Sequence, residues 1–292
     1  MATATTTTPW TNSSAANFRA WGSWISGFFA TAGWVNVFSA FATGTNWTDV
    51  SAPTATSDME VAEIWRMADA HQAAAPLFLK IEYGAGTAAI NNPGVRLTIG
   101  TGHDGSGNIT GVLFSGSILN CTANANNMTH YASGSTDRIS FAMAMSGTGW
   151  ANTQEMVISI ERRIDSTGAP LATGFLYATC GGTTRISNAC LASAAGPASQ
   201  GVWAVPAIFT AEANMTFDAK QAVAPVAYCL GPAEVGLNLV GVPATAYSVG
   251  GTFTVSLFGS NHTYVVLEST AHVAAMNVAV SSPSLRPAMR YE

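Results

Sequence analysis

This sequence predicts a mainly β fold: an antiparallel β-sandwich, jelly-roll-like body behind one short N-terminal helix. Three observations predict it. Runs that alternate apolar and polar residues recur about every dozen positions, the pattern of half-buried antiparallel strands. Between them lie segments such as SGSTD, SGTGWANTQ, DSTGAP, GGTTRISN and ASAAGPASQ, built of residues that favour turns. Helical periodicity is confined to roughly the first thirty positions.

The elements follow in order. Residues 1–12 are a polar, Thr-rich arm, expected to be ordered only when docked on something. Ser14 or Asn17 can cap a helix that runs to about Ala30. Phe18, Trp21, Ile25 and Phe28 fall at helical spacing on one face. That aromatic stripe has two possible uses, packing on the protein's own sheet or docking onto a partner. WVNVFSAF reads as a strand and TGTNWTDVSAPTATSD as a long loop. VAEIWRMAD fits the helical and strand periods equally poorly.

Further strands are expected at LFLKIEY, GVRLTIG, GVLFSGSIL, RISFAMAM, EMVISIERRI, TGFLYATC, GVWAVPAIF, TFDAKQAVAPVAYCL, TFTVSLFG and TYVVLES. Alternation places Met156, Ile158 and Ile160 on one face of their strand, and Phe253, Val255 and Leu257 on one face of theirs. The organisation expected is an N-terminal attachment segment over 1–50, a sandwich body over 51–230, and strands over 231–292 that close the same body or form a small subdomain. No long repeat or heptad suggests a fibre shaft.

Only 9% of the 292 residues are charged, and the formal net charge is −5. Soluble domains carry about a quarter. A surface covered by Thr, Ser, Asn, Gly and Ala is poorly protected against association, as suits one that meets other copies or neighbouring proteins. Lys80 and Lys220 are the only lysines and the arginines are scattered, which argues against nucleic-acid binding. MATATTTTPWTNSS lacks a basic and an apolar region, so no secretory signal is read there. Trp24 to Ala42 carries no charge but is rich in Ser, Thr, Asn and Gly, which favours a helix and a strand over a membrane span. Cys121, Cys180, Cys190 and Cys229 form no CxxC pair; Cys180 and Cys190 could close a loop across GGTTRISNA.

Chemistry-bearing motifs are few. Gly100, Gly102 and Gly105 form a GxGxxG after a strand, but SGNITGVLFSG follows in place of a helix, so a tight hairpin is expected and not a dinucleotide site. Asp104, Ser106 and Asn108 alternate in that glycine-rich turn. They could converge on Ca²⁺, but the closing acidic ligand is missing and Asx-turn bonding explains them as well. Glu161, Asp165 and the adjacent Arg162 and Arg163 read as a solvated charge cluster. Glu60 and Glu63 form only a nominal carboxylate pair. The five histidines are scattered and no GxSxG or HExxH occurs. No catalytic, cofactor or metal residues are assigned, and no enzyme is expected.

One stretch carries a resemblance. KIEYG (80–84), an Asn-Pro step, LTIGTG (97–102) and DGSGN (104–108) resemble a segment that recurs in small virion proteins of tailed bacteriophages. VAEIWRMADAHQAAAPLFLKIEYG and the aromatic FRAWGSWISGFFATAGWVNV extend it over roughly the first third of the chain. The resemblance tips VAEIWRMAD to strand. It implies a non-enzymatic structural protein of the phage particle, made in the host cytoplasm and carried on the tail or baseplate, with a role in host attachment. Its expected partners are copies of itself, in a homotrimer by family analogy, neighbouring virion proteins and a host receptor. The Phe18–Phe28 stripe would be the docking face and the Asp104–Asn108 turn an exposed contact. The alternatives are a head decoration or collar protein, or a carbohydrate-binding module using Trp47, Trp150 or Trp203.

Overall fold

The computed structural model of the chain describes residues 1–9, 14–86, 93–116, 118–120, 127–145, 156–164, 169–181, 184–193, 196–198, 224–225, 238–243, 250–257, 259–266 and 285–291. They form three antiparallel sheets and one short N-terminal α-helix, the mainly β class that the alternation predicts.

The chain opens with β1 (Ala2–Pro9), followed by α1 (Ala15–Thr31). The arm expected to order only when docked is ordered as a strand, docked on β8 (Asn127–Ser135). Its eight residues pair with β8 in unbroken register, from Ala2↔Gly134 to Pro9↔Asn127. The β-branched threonines favour extended backbone. Alternation turns Ala2 and Ala4 onto the core and Thr3 and Thr5 to solvent. Ser14 caps α1 as expected, its hydroxyl accepting from the Asn17 N–H at 3.4 Å. Gly33, at φ +88°, ends the helix where a side chain would be strained.

The first sheet is a meander of β2 (Val35–Phe41), β3 (Met59–Arg66), β4 (Phe78–Ala85), β5 (Pro93–His103) and β6 (Ile109–Ser115); β7 (Leu119–Asn120) pairs with the start of β5. VAEIWR of the VAEIWRMAD run is accordingly strand, its last three residues entering the next loop, and the GxGxxG glycines lie on a hairpin. The long loop after β2 holds one 3₁₀ turn, Trp47–Asp49. The second sheet runs β1, β8, β9 (Arg138–Met145), β10 (Met156–Ile164), β11 (Pro170–Gly181), β12 (Thr184–Ser193) and β13 (Gly196–Ala198). The third orders β14 (Ala224–Pro225), β15 (Leu239–Pro243), β18 (Leu285–Arg290), β17 (Ser260–Val266) and β16 (Thr252–Leu257).

An expected turn needs correction, and the Cys180–Cys190 link that the sequence left open is closed off by the register. Most of GGTTRISN is not turn but the start of β12, because its β-branched Thr184 and Ile186 continue the hairpin from β11. In that hairpin Cys190 stands opposite Tyr177, three residues from Cys180. Three residues span roughly 10 Å of strand, beyond the Cα separation of about 7 Å that a disulfide tolerates. The expected strand GVWAVPAIF and, apart from Ala224–Pro225, TFDAKQAVAPVAYCL lie outside the described residues, as do Cys121 and Cys229.

The main core joins α1 to both of the first two sheets. Trp21 meets Tyr83 edge-on at 6.0 Å, and Phe29 stacks on Trp65 at 5.1 Å. On its other flank, Phe28 and Phe29 reach Phe141 of β9 at 5.6 and 5.3 Å. Met156, Ile158 and Ile160 complete the core from β10, the face their alternation predicts. Each large side chain so buried stabilises the fold by about 1.5–3 kcal/mol. Gly22 lets the loop close: a Cβ there would lie 2.1 Å from the Trp47 ring. Among the described residues no helix is long and apolar enough to cross a membrane.

Candidate functional site

One of the two polar knots in the core is built on an acid. On β3, Val61, Glu63 and Trp65 share the face turned to α1, so alternation commits Glu63 to the interior, where it is 3% exposed. Four donors converge on it. Ser26 Oγ donates to Oε1 at 2.8 Å and Trp47 Nε1 to the same oxygen at 3.3 Å. Trp65 Nε1 and the Tyr83 hydroxyl donate to Oε2 at 3.0 and 3.1 Å. Burial, and then the neighbouring Glu63 charge, push the Tyr83 hydroxyl well above its ordinary range, so it remains a donor. The carboxylate thereby ties α1, the 3₁₀ turn, β3 and β4 together. Sequence reasoning passed over it as half of a nominal pair with Glu60. The available signal was its parity with Val61 and Trp65.

A second buried polar knot corrects the expected solvated cluster. Arg162 is 1% exposed, and its Nε and Nη2 donate to Asp69 at 2.9 and 3.1 Å. Its Nη1 also donates to the Ala75 carbonyl at 2.6 Å, pinning the 67–77 loop to β10. Glu161 points the opposite way and accepts from the Asn238 N–H at 3.0 and 3.1 Å. The physical reason is position. β10 lies inside its sheet, with the main core on one face and residues of the third sheet on the other. Nearby, burial first and Arg138 second lower the Arg290 guanidinium to about 10. Asp165 lies outside the described residues.

The residues singled out from sequence separate into two groups. Phe18, Trp21, Ile25 and Phe28 are 2%, 0%, 0% and 3% exposed. Of their two possible uses the structure shows packing, since the protein's own sheets already cover the face a partner would need. Asp104, Ser106 and Asn108 are exposed at the tip of the β5–β6 hairpin. Asp104 Oδ1 accepts from the N–H groups of Ser106 and Asn108 at 2.7 and 3.1 Å, while Oδ2 accepts from Asn108 Nδ2 at 2.7 Å. These bonds, the Asn108 side chain foremost, hold the Asp104 carboxyl down at about 2. Both carboxylate oxygens serve the turn itself. Among the described residues no group of three His, Cys, Asp or Glu could hold a metal ion. Trp47 is half-buried in aromatic contacts with Phe18, Phe41 and Tyr83. Trp150 and Trp203 lie outside the described residues.

Besides the Asp104–Asn108 turn, the described sheet edges are open to contact with other molecules. Glu60, Glu63 and Arg66 lie on β3, Lys80 and Glu82 on β4, Arg96 on β5, and Glu161 to Arg163 on β10, all interior strands. Every other Asp, Glu, Lys or Arg in a described strand is interior too. The strands at the sheet edges, β1, β2, β6, β13, β14 and β16, contain none. Proteins that avoid edge-to-edge association do the reverse and place charge on their outermost strands. Pairing with further strands is therefore chemically open at the edges, while inside the first sheet Arg96 Nε pairs across strands with Glu82 at 2.7 Å. No known protein-family model matches the chain, and no curated protein does.

Proposed function

We propose that this chain is a non-enzymatic structural protein of a tailed-bacteriophage particle, carried on the tail or baseplate and assembled from several copies, with its exposed turns available for host attachment. The observation that carries the reading is that every charge in a described strand lies on an interior strand and none on a described edge strand. Such edges suit a protein that spends its life against copies of itself and its neighbours. The resemblance of residues 61–108 to small phage virion proteins supplies the particle. Burial of the α1 stripe moves the expected contact away from the helix and onto edges and turns.

Mass spectrometry and electron microscopy of purified particles test this reading. The protein should be present in multiple symmetric copies on the tail, most simply three. Copies spread over the head lattice would make it a decoration or collar protein instead. Particles without it, or turnover of a bacterial polysaccharide by the purified chain, would sink the proposal. Replacing Asp104, Ser106 and Asn108 together with alanine should leave assembly intact; lost adsorption would mark that turn as a receptor contact.

A further inference from the structure

We infer that copies of this chain join edge to edge, the outer side of β1 in one copy pairing with the outer side of β16 in the next. The inference rests on the self-assembling reading above but not on a place in a phage particle.

Elimination among the edges leads to this pair. β13 and β14 are three and two residues long, and Pro197 and Pro225 remove a donor from each. β2 has a register shift between Asn36 and Phe38, and its Phe38 ring lies against the β5–β6 turn, where a Cβ on Gly107 would come within 2.8 Å of it. β6 follows a register shift at Ile99/Gly100 and is kinked by Gly111 at φ +56°. Bulges of this kind twist an edge away from further pairing. β1 and β16 have none. Their eight and six residues pair with β8 and β17 in unbroken register, and among the described residues no strand pairs with their other sides.

The two edges also match face by face. On β1, Thr3 and Thr5 are exposed while Ala2 and Ala4 pack on the core. On β16, Thr252, Thr254 and Ser256 are exposed while Phe253 and Val255 are buried. Laid side by side, the strands continue a hydroxyl face outside and an apolar face inside. Thr254 and Thr263 already share a hydroxyl bond at 3.2 Å across the β16–β17 pair, and β1 would extend that ladder. Neither edge carries a charge that would select a charged partner or repel a second copy. Because β1 and β16 are different edges of one chain, each copy gives one and receives one, which generates a ring or a filament and not a twofold dimer. A single strand pair buries far less than the roughly 1,600 Å² of a standard interface, so closure, with two contacts per copy, is what makes the assembly stable.

Sedimentation velocity on the full chain tests this with charge pairs. The natural chain should sediment as an oligomer larger than a dimer at about 50 µM, within the micromolar range where such contacts operate. T3K/T5K and T252E/T254E should each give monomers that keep the native circular dichroism spectrum, since all four side chains are exposed and each variant loses one exposed hydroxyl bond, Thr5–Tyr291 or Thr254–Thr263. Combining all four substitutions in one chain should restore the oligomer, because each contact then sets lysines against glutamates. V112K, on the exposed part of β6, should change nothing. A monomeric natural chain, oligomers that survive either charge pair, a combined variant that stays monomeric, or dissociation by V112K would each overturn the pairing. Particle localisation judges the virion reading separately.

Discussion

A carboxylate with no cation beside it is the most demanding group in this core, and Glu63 is tolerated because four donors replace the water it lost. Glu63→Ala should therefore destabilise the protein by about 3–5 kcal/mol in urea titration, since Ser26, Trp65 and Tyr83 would be left with buried, unanswered donors. Glu63→Gln should cost less, because its carbonyl oxygen still accepts while its amide meets donors. An effect under about 1 kcal/mol for the alanine variant would show that water takes the vacated place. His130 is the opposite case. It is fully buried, neither ring nitrogen has a hydrogen-bond partner, and the Trp24 ring lies 5.6 Å away. Burial lowers it from 6.5 to about 4, so between those values the unfolded chain binds a proton that the folded chain refuses. Stability should fall as pH drops from 6.5 to 4, by up to about 3 kcal/mol. His130→Leu should flatten that dependence, measured as urea midpoints at pH 7 and pH 5. Neither residue's role was legible in the sequence. A lone Glu or His in an alternating run reveals its face only once strand parity is known.

At the scale of elements, the helix was the easiest to read and its partners the hardest. Ser14 and the spacing of Phe18, Trp21, Ile25 and Phe28 announce α1 and its apolar face through short-range signals. What covers that face depends on Tyr83, Trp65 and Phe141, which no local pattern links to it. The double change Trp21→Ser and Ile25→Ser tests the assignment. Each loss from a packed core costs about 2–5 kcal/mol, so the melting temperature should fall by 10 °C or so, or the chain should fail to fold. A folded variant with an unchanged melt would return the stripe to the role of docking face. β1 escaped detection for a related reason. Threonines that alternate with alanine only over Ala2–Thr5 and then run together give almost no hydropathy contrast, and β8 is what receives the strand. Arg162 was misread because the described side chains of β10 are covered on both faces: Glu161 and Arg162 are buried along with Ile158 and Ile160.

Across the whole molecule, the core that α1 shares with two sheets couples them, and the Glu161–Asn238 bonds extend the coupling to the third. Heat should therefore unfold the described body in one transition, with calorimetric and van't Hoff enthalpies in agreement. Two separated peaks would instead mark the third sheet as an independent unit. The pairing of β1 has a further consequence, in time and not in space. The first residues of the chain find their partners more than a hundred residues downstream. A ribosome adding about 5–20 residues per second leaves the Thr-rich strand waiting on the order of ten seconds for β8 to be made. Its hydroxyls keep it wetted during that wait, and its lack of charge leaves it free to settle on the β8 of another nascent chain. On a crowded polysome, neighbouring copies can thus exchange their opening strands before any of them is finished.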